Sequence, residues 1–550
     1  MNRQRLRIVA ATLGAVATLL SACTAGTHND GKSGVGNQLA GLNLPVMTPA
    51  ATKQVDKVTW NVFEGEPQTV DPFQSADYTP NMINSNMCEN LLAQTPDFKI
   101  VPNLASSYSN PDPLHWVYDL RSDVTFWDGS PMTAEDVAWS MQHNLTDKTS
   151  FYNYLYANVK SIAVTGAHQV TVTLSRPDYL FNDEMADYAG VVVEKKFYLE
   201  HGNKVGSPGV GVMCTGPFEW GTWDQGQSIT LYRNPNYWNK ALEPKVKTLV
   251  FTFLTDDSAI TAGLLSGQID GTYSVPTAGY NQLKSSTVGT LTVGPAPLSI
   301  TMVYCRPNGP MSNLLMRKAL QLAVDWNGIG NTIYDGLAQP ITLQTPPAEY
   351  GFAAAPLRAL ADSLPAPQSA QYAEAKKIFD QVPASVRNQT VTMVVTDESS
   401  TQQLGLAIKD AANRIGMKFT LKVVPTTGYS NYLYDPKTRA GVDILYTQFW
   451  ANIPNPLDWL GITAVTGGSF NQYNYGGQDA LFAQAQGTKD PTARAALVAR
   501  IEKNLYDQLL PMVPGVQLYN TVWMNRRITG APASFDYVYY PWAATLGGRS

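Results

Sequence analysis

Trp116-Val117-Tyr118-Asp119-Leu120-Arg121-Ser122-Asp123-Val124-Thr125-Phe126-Trp127-Asp128-Gly129-Ser130-Pro131-Met132-Thr133-Ala134-Glu135-Asp136-Val137 carries three structural signals in one run. Residues 116–120 alternate apolar with polar side chains, as a half-buried strand does. Asp128-Gly129 suits a tight turn, because glycine takes positive φ without a Cβ clash. Thr133 then stands as a helix N-cap, with Asp136 three residues on at the capping-box position. Strand, turn and helix in such close succession predict a mixed α/β chain.

The same signals recur outward from this stretch. Upstream, Val58, Trp60 and Val62 alternate as a strand, and order is expected to begin near Lys57. Downstream, Val170, Val172 and Leu174 form another strand, and residues 247–253 a further one. Residues 257–266 read as a short helix closed by Gly267. Residues 390–395, 401–415 and 418–424 run strand, helix, strand, with Gly416 just past the helix, which implies a parallel crossover. Residues 492–509 read as an amphipathic helix stopped by Pro511.

The amino terminus has a different character. Arg3, Arg5 and Arg7 precede an apolar run over residues 8–20, too short to span a bilayer but suited to a secretory signal. The run ends at Leu20-Ser21-Ala22-Cys23, which resembles a bacterial lipobox. Residues 1–22 are therefore expected to be a lipoprotein signal peptide, with Cys23 the lipid anchor. Their loss would remove three arginines and no acid, taking the formal charge from −5 to −8. Such a chain does not adhere to anionic lipid by charge, and it lacks a basic nucleic-acid footprint. Residues 23–56, rich in Gly, Thr, Ser and Pro, are expected to form a flexible tether. Three further cysteines, Cys88, Cys214 and Cys305, permit one disulfide in an exported protein. The sequence leaves the pairing open, with Cys88 and Cys214 favoured.

Catalytic patterns are missing. There is no H-E-x-x-H and no G-x-S-x-G, and the five histidines are scattered without ligand spacing. No enzyme activity, metal, cofactor or ATP binding by the chain itself is expected. Arg317 and Asp325, eight apart, read as structural residues on one helical face.

Several segments together resemble the peptide/nickel class of bacterial extracellular solute-binding proteins, family 5. They include Glu66-Pro67-Gln68-Thr69-Val70-Asp71-Pro72, the stretch from Tyr118 through Val137, Thr215-Gly216-Pro217-Phe218, Asn234-Pro235-Asn236-Tyr237-Trp238 and Leu265-Ser266-Gly267-Gln268-Ile269-Asp270. The resemblance implies a two-lobed periplasmic-binding-protein-like α/β fold of type II, cluster C, with an extra subdomain in lobe one. Lobe one is then residues 57–297 with a C-terminal return over 516–550, and lobe two is residues 298–515. Chain crossings are expected near 296–300 and 513–519. It also implies a monomer, lipid-anchored on the outer face of the cell membrane, that captures short peptides and passes them to an ABC permease powered by separate ATPase subunits.

Such peptide binders pair the ligand main chain with protein strand edges. Matching positions here are Glu64, Gly65 and Glu66 after the first strand, and Phe449, Trp450, Ala451 and Asn452 in the second lobe. Asn471, Tyr473 and Asn474 lie in a loop suited to added contacts. The family's peptide binders carry Asp where this chain has Asn452, to hold the ligand's α-ammonium. An amide offers only neutral hydrogen bonds, about half as strong or less. Either another acid such as Asp458 or Glu64 serves, or the solute is an oligosaccharide, capped peptide or metal chelate. A secreted hydrolase and a scaffold lipoprotein are the remaining alternatives.

Overall fold

The computed structural model describes residues 44–549, apart from 366–368, 427, 473–475 and 510. Strand β1 (Val55–Asn61) buries Val58 and Trp60 completely, as their alternation requires. Order begins earlier than Lys57, so the expected tether needs correction over 44–56. Thr48 donates its N–H to Ala531 O at 3.1 Å, and Lys53 donates to Gly548 O at 3.2 Å. Thr48 Oγ1 also donates to Ala531 O at 2.7 Å. The composition of 44–56 looks like a linker, but a C-terminal partner far away in sequence supplies its hydrogen bonds. Residues 23–43 and the Cys23 anchor lie outside the described residues.

After helix α1 (Tyr78–Asn84), the chain builds a small antiparallel sheet from β2 (Ala105–Asp112), β3 (His115–Leu120), β4 (Val159–Gly166) and β5 (Gln169–Leu174), in the order β2-β3-β5-β4. In β3, Trp116, Tyr118 and Leu120 face inward; in β5, Val170, Val172 and Leu174 do. Gly129 takes φ +88°, and Ser130 donates its N–H to Asp128 Oδ1 at 2.8 Å, closing the expected turn. Helix α2 (Ala134–Thr146) starts in a full capping box. Asp136 N–H reaches Thr133 Oγ1, and Thr133 N–H reaches Asp136 Oδ2 at 3.0 Å.

The main sheet has eleven strands. Following the chain, these are β1, β6 (Phe218–Asp224), β7 (Ser228–Arg233), β8 (Val246–Thr252), β9 (Gly271–Tyr273), β10 (Gly289–Tyr304), β11 (Ala338–Pro340), β12 (Val391–Thr396), β13 (Phe419–Val424), β14 (Ile444–Trp450) and β15 (Met512–Asn525). Their order is β6-β7-β8-β1-β9-β15-β10-β14-β12-β13, with β11 on β15. Helix α3 (Asp257–Ser266) starts on the Asp256 cap and ends at Gly267 with φ +78°. Strands β12 and β13 are parallel across the helix Ser399–Arg414, as the crossover pattern predicted. One lobe is built on β6–β9 with β1, the other on β12–β14. The long antiparallel pair β10 and β15 runs between them. The segments 296–300 and 513–519 fall inside this pair, where Leu298 faces Leu518 and Ser299 faces Gln517. The register slips between Gly294 and Leu298.

Two local expectations change. The helix predicted over 492–509 is α-helical only over Pro491–Asn504, and its last turn, Leu505–Leu509, widens to a π-helix. Arg317 and Asp325 do not share a helical face, because the helix Leu314–Ala323 ends between them. Arg317 Nη1 donates to Met311 O at 2.7 Å, and Asp325 caps the next helix by accepting from Gly328 N–H at 2.9 Å. Cys88 is bonded to Cys214, and Cys305 is a buried free thiol that burial pushes up to about 12.

Candidate ligand-binding site

Strand β14 sets the site. One edge pairs with β10 over its full length. On the other, pairing with β12 covers only Ile444 and Leu445. Residues 446–450 therefore have no strand partner on that side among the described residues. Tyr429 OH donates to Tyr446 O at 2.8 Å and accepts from Tyr446 N–H at 3.1 Å. Tyr78 OH donates to Gln448 O at 3.4 Å. Main-chain groups of alternate residues thus point along this open edge, in the manner of an antiparallel pair.

The end of β14 meets the first lobe. Trp450 is 8% exposed and packs 4.2 Å from the Tyr78 ring, while its Nε1 donates to Tyr539 OH at 3.3 Å. Phe449 turns into the second lobe, against Trp459 at 4.9 Å and Phe470 at 5.0 Å. Asn452 is bonded on every side. Its N–H donates to Asp458 Oδ2 at 2.6 Å, and its O accepts from Gln94 Nε2 at 2.6 Å. Its Oδ1 accepts from Tyr539 OH at 2.8 Å, and its Nδ2 donates to Tyr154 OH at 3.4 Å. Asn452 therefore latches the two lobes together in this closed arrangement.

Ala451 and Asn452 line a narrow cavity of about 10 Å³, room for about one water, together with Gln94, Glu349, Asp536 and Tyr539. That is below the roughly 300–1,000 Å³ of common small-molecule sites, as expected of a cleft drawn shut.

Acids surround it. Asp458, 3% exposed, is pushed up to about 7 by burial, against the pull of the N–H groups of Asn452 and Ile453. Burial holds Glu349 well above the carboxylate range, and Asp458 adds to this. Glu184 and Asp187 are fully buried, raised by burial first, and both are raised further by Asp458. No donor reaches either oxygen of Glu184 or Asp187 Oδ2, and the two carboxyls lie close enough to share a proton. Burial raises Asp536 strongly too.

Glu64 sits across the cleft. Protein crowds its carboxyl, which together with Asp77 pushes it up to about 8. Glu398 of the second lobe is near enough to contribute. The side chain is nonetheless open to water, so its shift carries no stability argument. Gly65 takes φ +86° at the turn after β1.

Two expected residues spend their polar atoms on the protein. Glu66 Oε1 accepts from Trp223 Nε1 at 2.6 Å and from Gly226 N–H at 2.9 Å. Asn471 Nδ2 donates to Val465 O at 2.8 Å. Tyr473 and Asn474 lie outside the described residues. Sequence reading did not single out Tyr78, Gln94, Glu349, Asp536 or Tyr539. Residues 26–33 do match the letters G-x-x-x-x-G-K-[ST], and they lie outside the described residues. Among the described residues, no group of three or more His, Cys, Asp or Glu is placed to hold a metal, and no helix is long and apolar enough to cross a membrane.

Comparison with known proteins places this geometry. The periplasmic oligopeptide-binding protein OppA of Escherichia coli K12 is 25% identical over 490 residues, covering 84% of this chain and 88% of OppA. The probable deoxycholate-binding periplasmic protein YgiS of the same organism is 26% identical, covering 86% and 90%. Among solved structures, the periplasmic binding protein DppA of Helicobacter pylori, in complex with the peptide STSA, matches with a TM-score of 0.78 at 18% identity, over 90% of this chain and 99% of that one. The family model for the middle region of bacterial extracellular solute-binding proteins, family 5, matches residues 99–471. The lobes, the central strand pair and the family match together make this chain a member of the family 5 bacterial extracellular solute-binding proteins.

Proposed function

We propose that this chain is the peptide-capturing lipoprotein of an ABC importer, and that its ligand adds a strand along residues 446–450 of β14. The open edge of β14 carries the proposal. It offers main-chain groups that no protein strand uses, those of Tyr446 and the O of Gln448 being held only by tyrosine hydroxyls that a ligand strand would replace. Main-chain pairing gives affinity while leaving side-chain identity loosely read. Residues 64 and 65 form the facing border from the first lobe, and residues 449–452 form the border from the second. Lobe one comprises residues 57–297 and 516–550, lobe two 298–515, and β10 and β15 flex as the hinge near the register slip at Gly294. The protein works as a monomer. Diacylglycerol on Cys23 tethers it to the outer face of the membrane, where it hands the solute to a permease driven by separate ATPases. The bound solute leaves unaltered.

Asn452 favours a second reading, a solute without a buried α-ammonium. The deoxycholate named for YgiS shows that relatives of similar likeness are named for non-peptide ligands.

Calorimetry with tri-, tetra- and pentapeptides, paired with X-ray scattering, tests the proposal. Peptides should bind in the micromolar range or tighter and shrink the radius of gyration, and mass spectrometry should recover them intact. Peptides that neither bind nor close the lobes, while a sugar or bile acid does, would favour the second reading. Cleavage products would remove both.

A further inference from the structure

The end of the first lobe farthest from the second is basic. Strands β10 and β15 join the lobes, and Gly289, where β10 starts, pairs with Asn525, where β15 ends. The amino ends of the parallel strands β1 and β8 lie at this same end. Lys53, Lys57, Lys245, Arg526 and Arg549 gather here from segments distant in sequence. Lys53 donates its N–H to Gly548 O at 3.2 Å, and Val55 donates its N–H to Lys245 O at 2.9 Å. A Cβ placed on Gly547 would stand 3.0 Å from Lys245 Cβ, and one on Gly548 would stand 3.1 Å from Lys53 Cβ. Arg527 Nη2 donates to Lys57 O at 2.9 Å, and Arg549 Nε donates to Ile528 O at 3.1 Å.

Acids do not offset this charge. Asp56 pairs with Lys247, and the buried Asp270 pairs with Arg527, so each of those acids already has its own cation. The five residues above enter none of the ion pairs among the described residues. Lys53, Lys57 and Arg526 are exposed, and Lys245 and Arg549 are half-buried. Residues 53–57, 243–247, 270, 526–527 and 549 together hold seven cations and three acids, a formal charge of +4, which leaves −12 on the rest of a chain expected at −8. The net charge therefore predicts no attraction to anionic lipid, but the fold separates the signs. At physiological salt, charges more than about 8 Å apart are largely screened, so a surface meeting this end responds to these cations before the distant acids.

We propose that this end of the first lobe docks on an anionic membrane surface, with phospholipid headgroups against Lys53, Lys57, Lys245, Arg526 and Arg549. The lipid-anchor reading enters only to bring the membrane near. Residues 23–43 separate Cys23 from the first described residue, and a chain of that length reaches at most about 70 Å. Val46 O accepts from Ala533 N–H at 2.9 Å, and the strand-like run from Val46 to Lys53 covers roughly 23 Å, a height within that reach. Docking in this way leaves the cleft free. Residues 64 and 65 follow the carboxyl end of β1, and Asn452 follows β14 in the other lobe, both away from the basic end. The protein then waits on the membrane with its cleft turned to solution.

Residues 24–550, which keep every described element and carry no acyl group, test this by co-sedimentation with vesicles. Phosphatidylcholine vesicles with about one-third phosphatidylglycerol should bind the chain at about 20 mM salt and release it at about 300 mM, and phosphatidylcholine alone should not bind it. Lys53→Glu/Lys245→Glu should weaken binding about 25-fold or more, from about fivefold for each cation lost. If that variant fails to fold, Lys57→Glu/Arg526→Glu reads the same face. Lys418→Glu/Lys489→Glu makes the same charge change on exposed residues of the second lobe, and should alter binding about twofold or less. Absence of a phosphatidylglycerol preference overturns the inference, and so does equal weakening by the second-lobe pair. Binding to soluble polyphosphate without binding to vesicles gives the face to a soluble polyanion and overturns it too. The anchor is read separately, by mass spectrometry of the amino-terminal peptide of the native protein. An unacylated Cys23 removes the lipoprotein reading and leaves the vesicle result standing.

Discussion

Asn452 shows what one side chain contributes. All four of its polar groups are used, and three partners, Gln94, Tyr154 and Tyr539, belong to the first lobe. Exchange of the amide for a carboxylate keeps Tyr539 OH as a donor, requires Tyr154 OH to turn from acceptor to donor, and adds a charge beside the cleft. Asn452→Asp should therefore raise the affinity for free-amine peptides by about tenfold, the worth of a charge-assisted over a neutral hydrogen bond. Titration of trialanine against both proteins reads this directly, and an unchanged constant would take position 452 out of ligand recognition. The residue was visible in the sequence because it stands in a motif. Glu349 and Asp536 were not, because what singles them out is burial without a partner, and burial depends on chain segments hundreds of residues apart. Glu66 shows the reverse error. Its motif is plain, yet its carboxylate serves the β6–β7 hairpin through Trp223 and Gly226.

The elements that were legible are those whose causes are local. The capping box of α2, the Asp128-Gly129 turn and the alternation in β3 and β5 each depend on side chains a few positions apart. Residues 44–56 and the break between Arg317 and Asp325 escaped because distant partners or a helix end decide them. The family motifs gain a physical reason at this scale. Thr215 Oγ1, Tyr237 OH and Trp238 Nε1 all donate to the buried carboxyl of Glu89, at 2.8, 2.9 and 2.9 Å. The neighbouring Cys88–Cys214 disulfide fastens the same two segments over a sequence separation of 126. The double variant Cys88→Ser/Cys214→Ser should lose about 2–5 kcal/mol of stability, through the longer loop released in the unfolded chain. Urea unfolding measures it. A loss below about 1 kcal/mol would show that the Glu89 network holds these segments without the covalent link.

Across the whole molecule, buried acids make folding depend on pH in a fixed direction. Asp458 and Glu502 are both pushed up to about 7, Asp458 from 3.8 and Glu502 from 4.5, each by burial first. Glu502 is buried completely and accepts N–H bonds from Gln344 at 3.0 Å and Thr345 at 2.8 Å, which offset only part of that cost. In the folded chain these groups keep their protons between pH 4.5 and 7, while the unfolded chain has released them. The folded state then binds more protons, so stability falls as pH rises. The contribution is fully present below the unfolded values and is lost as pH rises through about 7. The carboxyls held below the usual range, such as Asp112 and Asp119, sit at the surface and act only at lower pH. The melting temperature should therefore be higher at pH 5 than at pH 8. Glu502→Gln, which keeps an acceptor for one of the two N–H groups and removes the titration, should flatten the slope between them. Calorimetric melts across that range decide the matter. A melting temperature that rises from pH 5 to pH 8, or a slope that Glu502→Gln leaves intact, would show that these acids are ionised in the folded protein and that partners other than those described here offset their burial.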